Sequence, residues 1–282
     1  MRIGVIGLGA IGSIVAERLA REQPIDVAAG RKDRLPDGRY DLILLCTRTI
    51  DLETALAPAA PLLAPDGAVV CVQNGLPEER AARLVGAQRV LGTVIGWSAS
   101  RNDGVTGGGK FILGGASPRR HQAAELLRRV FPVRETDNLA GARWSKLALN
   151  CAMSTLGAVS GLSLGELAAR RDVRRLALSV VREVVEVARE RGVRMEAVSG
   201  LRPDWLVEMP ALLSNAAIWV AAQRRPRQRT GMIALLKAGR PAGVEDLNAL
   251  VDRPLNRRLV EMVHQVETGA RPITPQNLAE LA

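Results

Sequence analysis

The chain has 282 residues and a formal net charge of +10, from 39 basic and 29 acidic side chains. That length suits two domains better than one, and a hydrophobic content of 47% supplies ample material for buried cores, which excludes a disordered chain. The apolar runs are too short and too interrupted to span a bilayer, and aromatic residues, at 2%, are too few to build stacking platforms for single-stranded nucleic acid.

The basic side chains are spread as pairs, such as Arg119 with Arg120 and Arg174 with Arg175, and only residues 224–229 form a cluster. The excess therefore reads as a solvated surface plus the handling of a small anionic ligand, and nucleic-acid binding would have to rest on that one cluster. A strand pattern that starts at Met1 leaves no room for a leader. Cys46, Cys71 and Cys151 sit in apolar runs without metal-type spacing, so the reading is a cytoplasmic protein with neither disulfides nor a metal site.

Residues 2–6 form an apolar β-type run that passes directly into Gly7, Gly9 and Gly12. In a βα unit the first glycine permits a tight turn and the second permits backbone to approach a pyrophosphate. The third lets the following helix, whose N–H groups face the phosphates, pack close to the strand. Ile11, Val15 and Leu19 give that helix an apolar face. Strands are then predicted at 25–29, 40–46, 68–72, 89–94 and 110–113, with helices at 51–63, 78–84 and 121–130. This alternation predicts a Rossmann-type, doubly wound parallel sheet over residues 1–140. From 141 to 282 the pattern is helical only, exemplified by Val173, Leu176, Val180, Val184 and Ala188 at i, i+3, i+4 spacing and closed by Gly192. A cleft between the two domains is the expected ligand site.

The residue type after the second strand distinguishes two dinucleotides. An acidic side chain there binds the ribose of NAD, whereas this chain has Arg31 and Lys32, which suit the 2′-phosphate of NADP(H).

These features, together with GLGAIG at 7–12, LLCTR at 44–48, VQNGL at 72–76, ARWSKLALNCAMSTLGAVSG at 142–161, Glu183 and KAGRP at 237–241, resemble the ketopantoate reductase family over nearly the whole chain. The resemblance implies an NADPH-dependent reductase of a small 2-oxo acid or a related carbonyl or imine, with a homodimer through the helical domain as the candidate assembly. It implies that Gly7, Gly9, Ala10, Ile11, Gly12, Arg31, Lys32, Cys46, Thr47, Arg48 and Asn74 line the cofactor. It places Asn74, Lys146, Asn150 and Ser154 at the substrate, with Lys146 and Asn150 as the catalytic pair.

Physical chemistry supports Lys146 independently. Hydride delivery builds negative charge on a carbonyl oxygen, which a desolvated ammonium can both stabilise and protonate. Lys146 is the only lysine between residues 111 and 236, and Asn150 follows it at helical spacing. Three departures from the family pattern concern the substrate side: Ser154 stands for an asparagine, Gly231 for a serine and Gly243 for a glutamate. The segment between 247–250 and 254–259 is also shortened. Loss of these polar groups predicts a substrate other than ketopantoate, with an apolar or bulkier tail, and predicts that Gly231→Ser with Gly243→Glu recovers ketopantoate activity. Asp246, three residues from Gly243 on a presumed helix, is the candidate replacement acid. Two alternatives are genuine 2-dehydropantoate 2-reductase activity in pantothenate synthesis and a non-catalytic NADP-binding sensor or partner subunit.

Overall fold

Gly7 adopts a φ of +93°, and a Cβ there would lie 2.5 Å from the backbone nitrogen of Thr47. This close approach joins the first strand to the third. In the computed structural model, residues 1–22, 26–30, 35–96, 98–100, 104–106 and 110–281 are described. The chain divides into two compact units, Met1–Ala142 and Arg143–Ala282.

The elements of the first unit run β1 (Arg2–Ile6), α1 (Ala10–Ala20), β2 (Asp26–Gly30), β3 (Tyr40–Leu45), α2 (Leu52–Leu56), β4 (Leu63–Cys71), α3 (Glu78–Val85), β5 (Val90–Ile95), β6 (Ser98–Ser100), β7 (Gly104–Thr106), β8 (Phe111–Gly115), α4 (Arg120–Arg128) and β9 (Val133–Glu135). Seven strands form one sheet in the order β2-β1-β3-β4-β5-β8-β9. Alternate side chains of each strand enter different cores. Ile3, Val5, Leu42 and Leu44 pack with Val15, Leu19, Ala123 and Leu127 of α1 and α4. Ile6, Ile43 and Leu45 pack with Leu52, Leu56 and Ala81 of α2 and α3. Both faces are covered, which is why 40–46 reads as a continuous apolar run rather than an alternating one.

The sheet is parallel except where β5 pairs antiparallel with β8. A parallel neighbour needs a crossover, usually a helix, and the described part of the link between these strands holds only the two-stranded β6–β7 pair. The expected helix over 51–63 is broken: a 3₁₀ turn at Thr49–Asp51, then α2, then a second 3₁₀ turn at Ala60–Leu62. Pro58 and Pro61 cannot donate to helical carbonyls and end the regular turn. β4 starts at Leu63, earlier than expected, with a register shift between Tyr40 and Leu42.

α5 (Leu139–Leu149) spans the boundary between the units. The second unit continues with a π turn (Asn150–Ser154), α6 (Thr155–Ser160), α7 (Leu164–Ala169), α8 (Arg171–Glu190), α9 (Pro203–Glu208), α10 (Ala211–Gln223), α11 (Gly231–Lys237) and α12 (Pro254–Glu267). α8 buries Val173, Leu176, Ala177, Val180, Val181, Val184 and Ala188, the predicted apolar face, and closes with Val193 N–H donating to the Ala188 carbonyl at 2.8 Å. Among the described residues no helix is long and apolar enough to cross a membrane.

Gly7→Ala is expected to cost about 1–3 kcal/mol, because the side chain would be both left-handed and in collision with backbone. Gly9→Ala, whose Cβ meets nothing within 4 Å, should leave stability nearly unchanged. Thermal unfolding of the two variants checks this; equal melting temperatures would remove the constraint assigned to Gly7.

Candidate functional site

The turn from β1 into α1 has the shape of an anion cradle. A Cβ on Gly12 would lie 2.0 Å from the Gly7 carbonyl oxygen and 2.9 Å from Cys46 Cβ, so only glycine lets α1 start this close to the strands. Gly9, the N-cap, offers no side-chain cap, and the first turn of α1, which includes Ala10 and Ile11, carries no acidic residue. The leading N–H groups of a helix have no intrahelical acceptors, and at the N-cap a Cβ on Gly9 would meet nothing within 4 Å. A pyrophosphate fits this arrangement: close backbone, unfilled space and no competing negative charge.

The end of β3 borders the same turn, with Cys46 N–H donating to the Ile6 carbonyl at 2.7 Å. Burial pushes the Cys46 thiol up to about 12, so it is a neutral wall and not a nucleophile. Thr47 Oγ1 accepts from Gln73 Nε2 at 3.3 Å, and Thr49 Oγ1 donates to the Asn74 carbonyl at 2.9 Å. These two bonds tie the loops after β3 and β4 together, holding Asn74 exposed beside Gly75. Arg48 is engaged with Asp51 (Nε to Oδ2, 3.0 Å), so its guanidinium has a carboxylate partner within the chain. Arg31 and Lys32, the residues expected to discriminate the 2′-phosphate, lie outside the described residues, just past β2.

In the second unit Lys146 lies in the last turn of α5 and is half-buried. Desolvation, with a smaller contribution from the positive field of Arg225, lowers its pKa to about 8. Among the described residues no carboxylate or hydrogen-bond acceptor engages its ammonium. Trp144 and Leu147 beside it are buried, and the Arg191 guanidinium lies over the Trp144 ring at 5.2 Å. Asn150 and Ser154 are also half-buried. They are the first and last residues of the π turn, so they do not stack in the simple α-helical stripe expected from four-residue spacing. The backbone of Ser154 is fixed by Thr230 Oγ1, which donates to its carbonyl at 3.2 Å.

The helical placement of Asp246 is corrected by the structure. Gly243 has a φ of +79° and starts a 3₁₀ turn, Val244–Asp246, so the two residues are not successive positions on one α-helix face. The same φ makes Gly243→Glu a strained substitution despite the open space around it. Glu245 pairs with His264 (Oε1 to Nε2, 2.7 Å), and Glu267 accepts from the Ala242 N–H at 2.7 Å. These three side chains form the one group of potential metal ligands among the described residues; it is largely exposed, and each member already has a partner.

Sequence reasoning missed Thr155, Asn248 and Asn256, all fully buried and hydrogen-bonded to one another behind the π turn. The available signal was an asparagine inside the apolar stretch LNAL, which burial obliges to find partners.

Comparison with known proteins agrees with this architecture. A family model described as "Ketopantoate reductase PanE/ApbA" matches residues 29–116, and one described as "Ketopantoate reductase PanE/ApbA C terminal" matches residues 138–267. A 2-dehydropantoate 2-reductase of Mesorhizobium japonicum is 25% identical, covering 90% of this chain and 93% of its own. A PanE/ApbA family ketopantoate reductase structure from Ralstonia eutropha JMP134 superposes with a TM-score of 0.77 at 24% identity, over 95% of this chain and 99% of that one. D-mandelate dehydrogenase with NADH and anilino(oxo)acetate superposes with a TM-score of 0.78 at 18% identity, over 95% and 99% of the two chains. Both halves match consecutive parts of one family, and the chain belongs to the ketopantoate reductases, NADPH-dependent oxidoreductases that act on a carbonyl group.

Proposed function

We propose that this protein reduces a small 2-oxo acid, or a related carbonyl or imine compound, with Lys146 as the proton donor. The observation that carries the reading is a half-buried ammonium without a counter-ion, its pKa lowered to about 8. Left unpaired, such a charge is costly, and it becomes useful when negative charge develops on a substrate oxygen. NADPH, when bound, supplies the hydride. Gly7, Gly9, Gly12 and the start of α1, with Cys46, Thr47 and Arg48 nearby, are the residues assigned to hold it, and Arg31 and Lys32 are assigned to its 2′-phosphate. Lys146 transfers an Nζ proton to the carbonyl oxygen and recovers one from water, while the Asn150 amide donates a hydrogen bond that orients the substrate. Asn74 and Ser154 contribute polar contacts, and the substrate's carboxylate meets the positive field that Lys146 shares with Arg225.

The acid assignment has a defined pH signature. Lys146 is charged below about 8, so kcat/KM for reduction should fall as pH rises through that value, and Arg225→Gln should move the fall upward. Lys146→Met should lower turnover by roughly two to four orders of magnitude while sparing NADPH affinity. Because the folded-state pKa lies below the ordinary 10.5, the burial penalty is fully present below pH 8 and gone above 10.5. Lys146→Met should therefore raise the melting temperature at pH 7 and lose that gain towards pH 10.5. Normal turnover by this variant would sink the assignment.

On the substrate side, Gly231 at the start of α11 offers only backbone and open space. A buried pantoyl hydroxyl lacking its partner costs about 1–3 kcal/mol, or roughly five- to a hundredfold in kcat/KM. The relatives' name favours ketopantoate itself; Gly231 favours an apolar-tailed 2-oxo acid. A spectrophotometric panel decides between them, with ketopantoate expected to be the poorer substrate and NADPH preferred over NADH. Arg31→Ala should erode the cofactor preference alone. Efficient native turnover of ketopantoate would reject the substrate reading.

We assign the protein to the cytoplasm, where Cys46, Cys71 and Cys151 persist as free thiols. Its assembly is assigned to a homodimer through α10. This helix carries no charged residue, and it exposes Leu212 at 80%, Trp219 at 47% and Val220 at 52%. A contiguous apolar patch of a few hundred Å² or more is characteristic of an interaction surface. Light scattering should give a dimer for the native chain and a monomer for Leu212→Asp/Trp219→Asp; a native monomer at micromolar concentration would dismiss the interface.

A further inference from the structure

A π turn carries extra backbone within a helix and disturbs the usual i→i−4 ladder. Here one side chain bridges the disturbed backbone. Asn248 Nδ2 donates to the carbonyl of Cys151, the second residue of the turn, at 3.1 Å, and Asn248 Oδ1 accepts from Oγ1 of Thr155, the first residue after it, at 2.6 Å. The same Nδ2 donates to Asn256 Oδ1 at 2.8 Å, and Asn256 Nδ2 donates to Glu183 Oε2 at 2.8 Å. Glu183 is held in turn by the Leu255 and Asn256 N–H groups at the start of α12, both at 2.9 Å. Asn248, Asn256 and Thr155 are fully buried, so the bonds of Asn248 to Cys151, Thr155 and Asn256 are made away from water, and Glu183, half-buried, ends the chain.

We propose that Asn248 is a positioning residue for the reaction: by clamping Cys151 and Thr155 it holds the π turn that starts at Asn150 and sets where Ser154 falls relative to Lys146 and Asn150. The proposal rests on Lys146 and Asn150 being the reacting pair. Conversion of the turn to uninterrupted α-helix would rotate the residues after it by one position, about 100°. Loosening of the turn would leave the amide of Asn150 unaligned and admit water to Lys146. Asn248 itself is sealed from solvent and reaches neither substrate nor cofactor; its effect passes through the backbone of the turn.

Thr155→Val keeps the side-chain shape and removes the donor to Asn248 Oδ1, whereas Thr155→Ser keeps the donor. Thr155→Val and Asn248→Ala should lower kcat roughly ten- to a hundredfold, in line with the sensitivity of reacting groups to misplacement by about 1 Å. NADPH affinity, read by fluorescence titration, should not change. Lysine labelled with ¹³C at Cε gives a readout independent of turnover, because the chain has only Lys32, Lys110, Lys146 and Lys237. The Lys146 resonance, assigned by its loss in Lys146→Met, should titrate closer to the ordinary lysine range in Thr155→Val, with Arg225 still the charged neighbour, and return in Thr155→Ser. A lower melting temperature in Thr155→Val with native kcat and native Lys146 titration would reduce the network to a purely structural role. If Lys146→Met kept full turnover, the acid assignment would fail instead, while the Lys146 titration in Thr155→Val would still judge the clamp. Should Asn248→Ala fail to fold, the Thr155 pair alone decides the matter.

Discussion

A polar group withdrawn from water must find a partner, and the helical unit is organised around that demand. Ser145 accepts the Glu196 N–H at 3.1 Å, and Asn277 donates to the Val159 and Pro272 carbonyls at 2.8 and 2.9 Å. The line from Thr155 through Asn248 and Asn256 to Glu183 connects α6, the turn before α12, α12 itself and α8. Removing one member would strand another at a desolvation cost of about 1–3 kcal/mol. Lys146, Asn150 and Ser154 stand apart from this network as half-buried polar side chains whose polar atoms make no hydrogen bond among the described residues. Stability alone would favour their pairing or removal.

The glycine turn in the first unit follows a different constraint, steric where the other is polar. Gly7 and Gly12 allow three segments of backbone to meet with no side chain between them, and the adjoining Gly9 leaves open space in front of a helix terminus. The first unit thus carries a hollow bounded by close-packed backbone at a helix start, and the second a half-buried ammonium of lowered pKa. The hollow depends on what is missing at three positions, and the low pKa of the ammonium on what is missing around one.

The first unit was largely legible because a sheet covered on both faces writes continuous apolar runs, and YDLILLC is such a run. Boundaries were less legible where competing signals overlap. The apolar, alanine-rich stretch before β4 reads as helix, yet Pro58 and Pro61 break it into short turns. The antiparallel pairing of β5 with β8 left no trace, because strand direction is set by a non-local partner and not by local pattern. In the helical unit Lys146 was conspicuous as a solitary lysine, but no propensity encodes a π turn at 150–154. Gly243 shows the limit of position-by-position matching. A glycine aligned with a glutamate looks like a lost side chain until its left-handed backbone shows that the surrounding chain takes a path a glutamate would not readily follow.

The capping of α12 by Glu183 bears on how the chain folds. Arg253, the local N-cap, makes no side-chain bond to the helix start, which is satisfied instead by a carboxylate more than seventy residues earlier. A fourteen-residue helix is marginal on its own in water, and this one lacks the usual local start signal. Its first turn can become secure only once α8 exists to receive it. The last major helix therefore belongs to the late, high-contact-order phase of assembly, and the Asn256 and Asn248 bonds close with it. As synthesis proceeds from the N-terminus, α8 emerges before α12, so the Glu183 carboxylate is already present when the helix start that it caps is made.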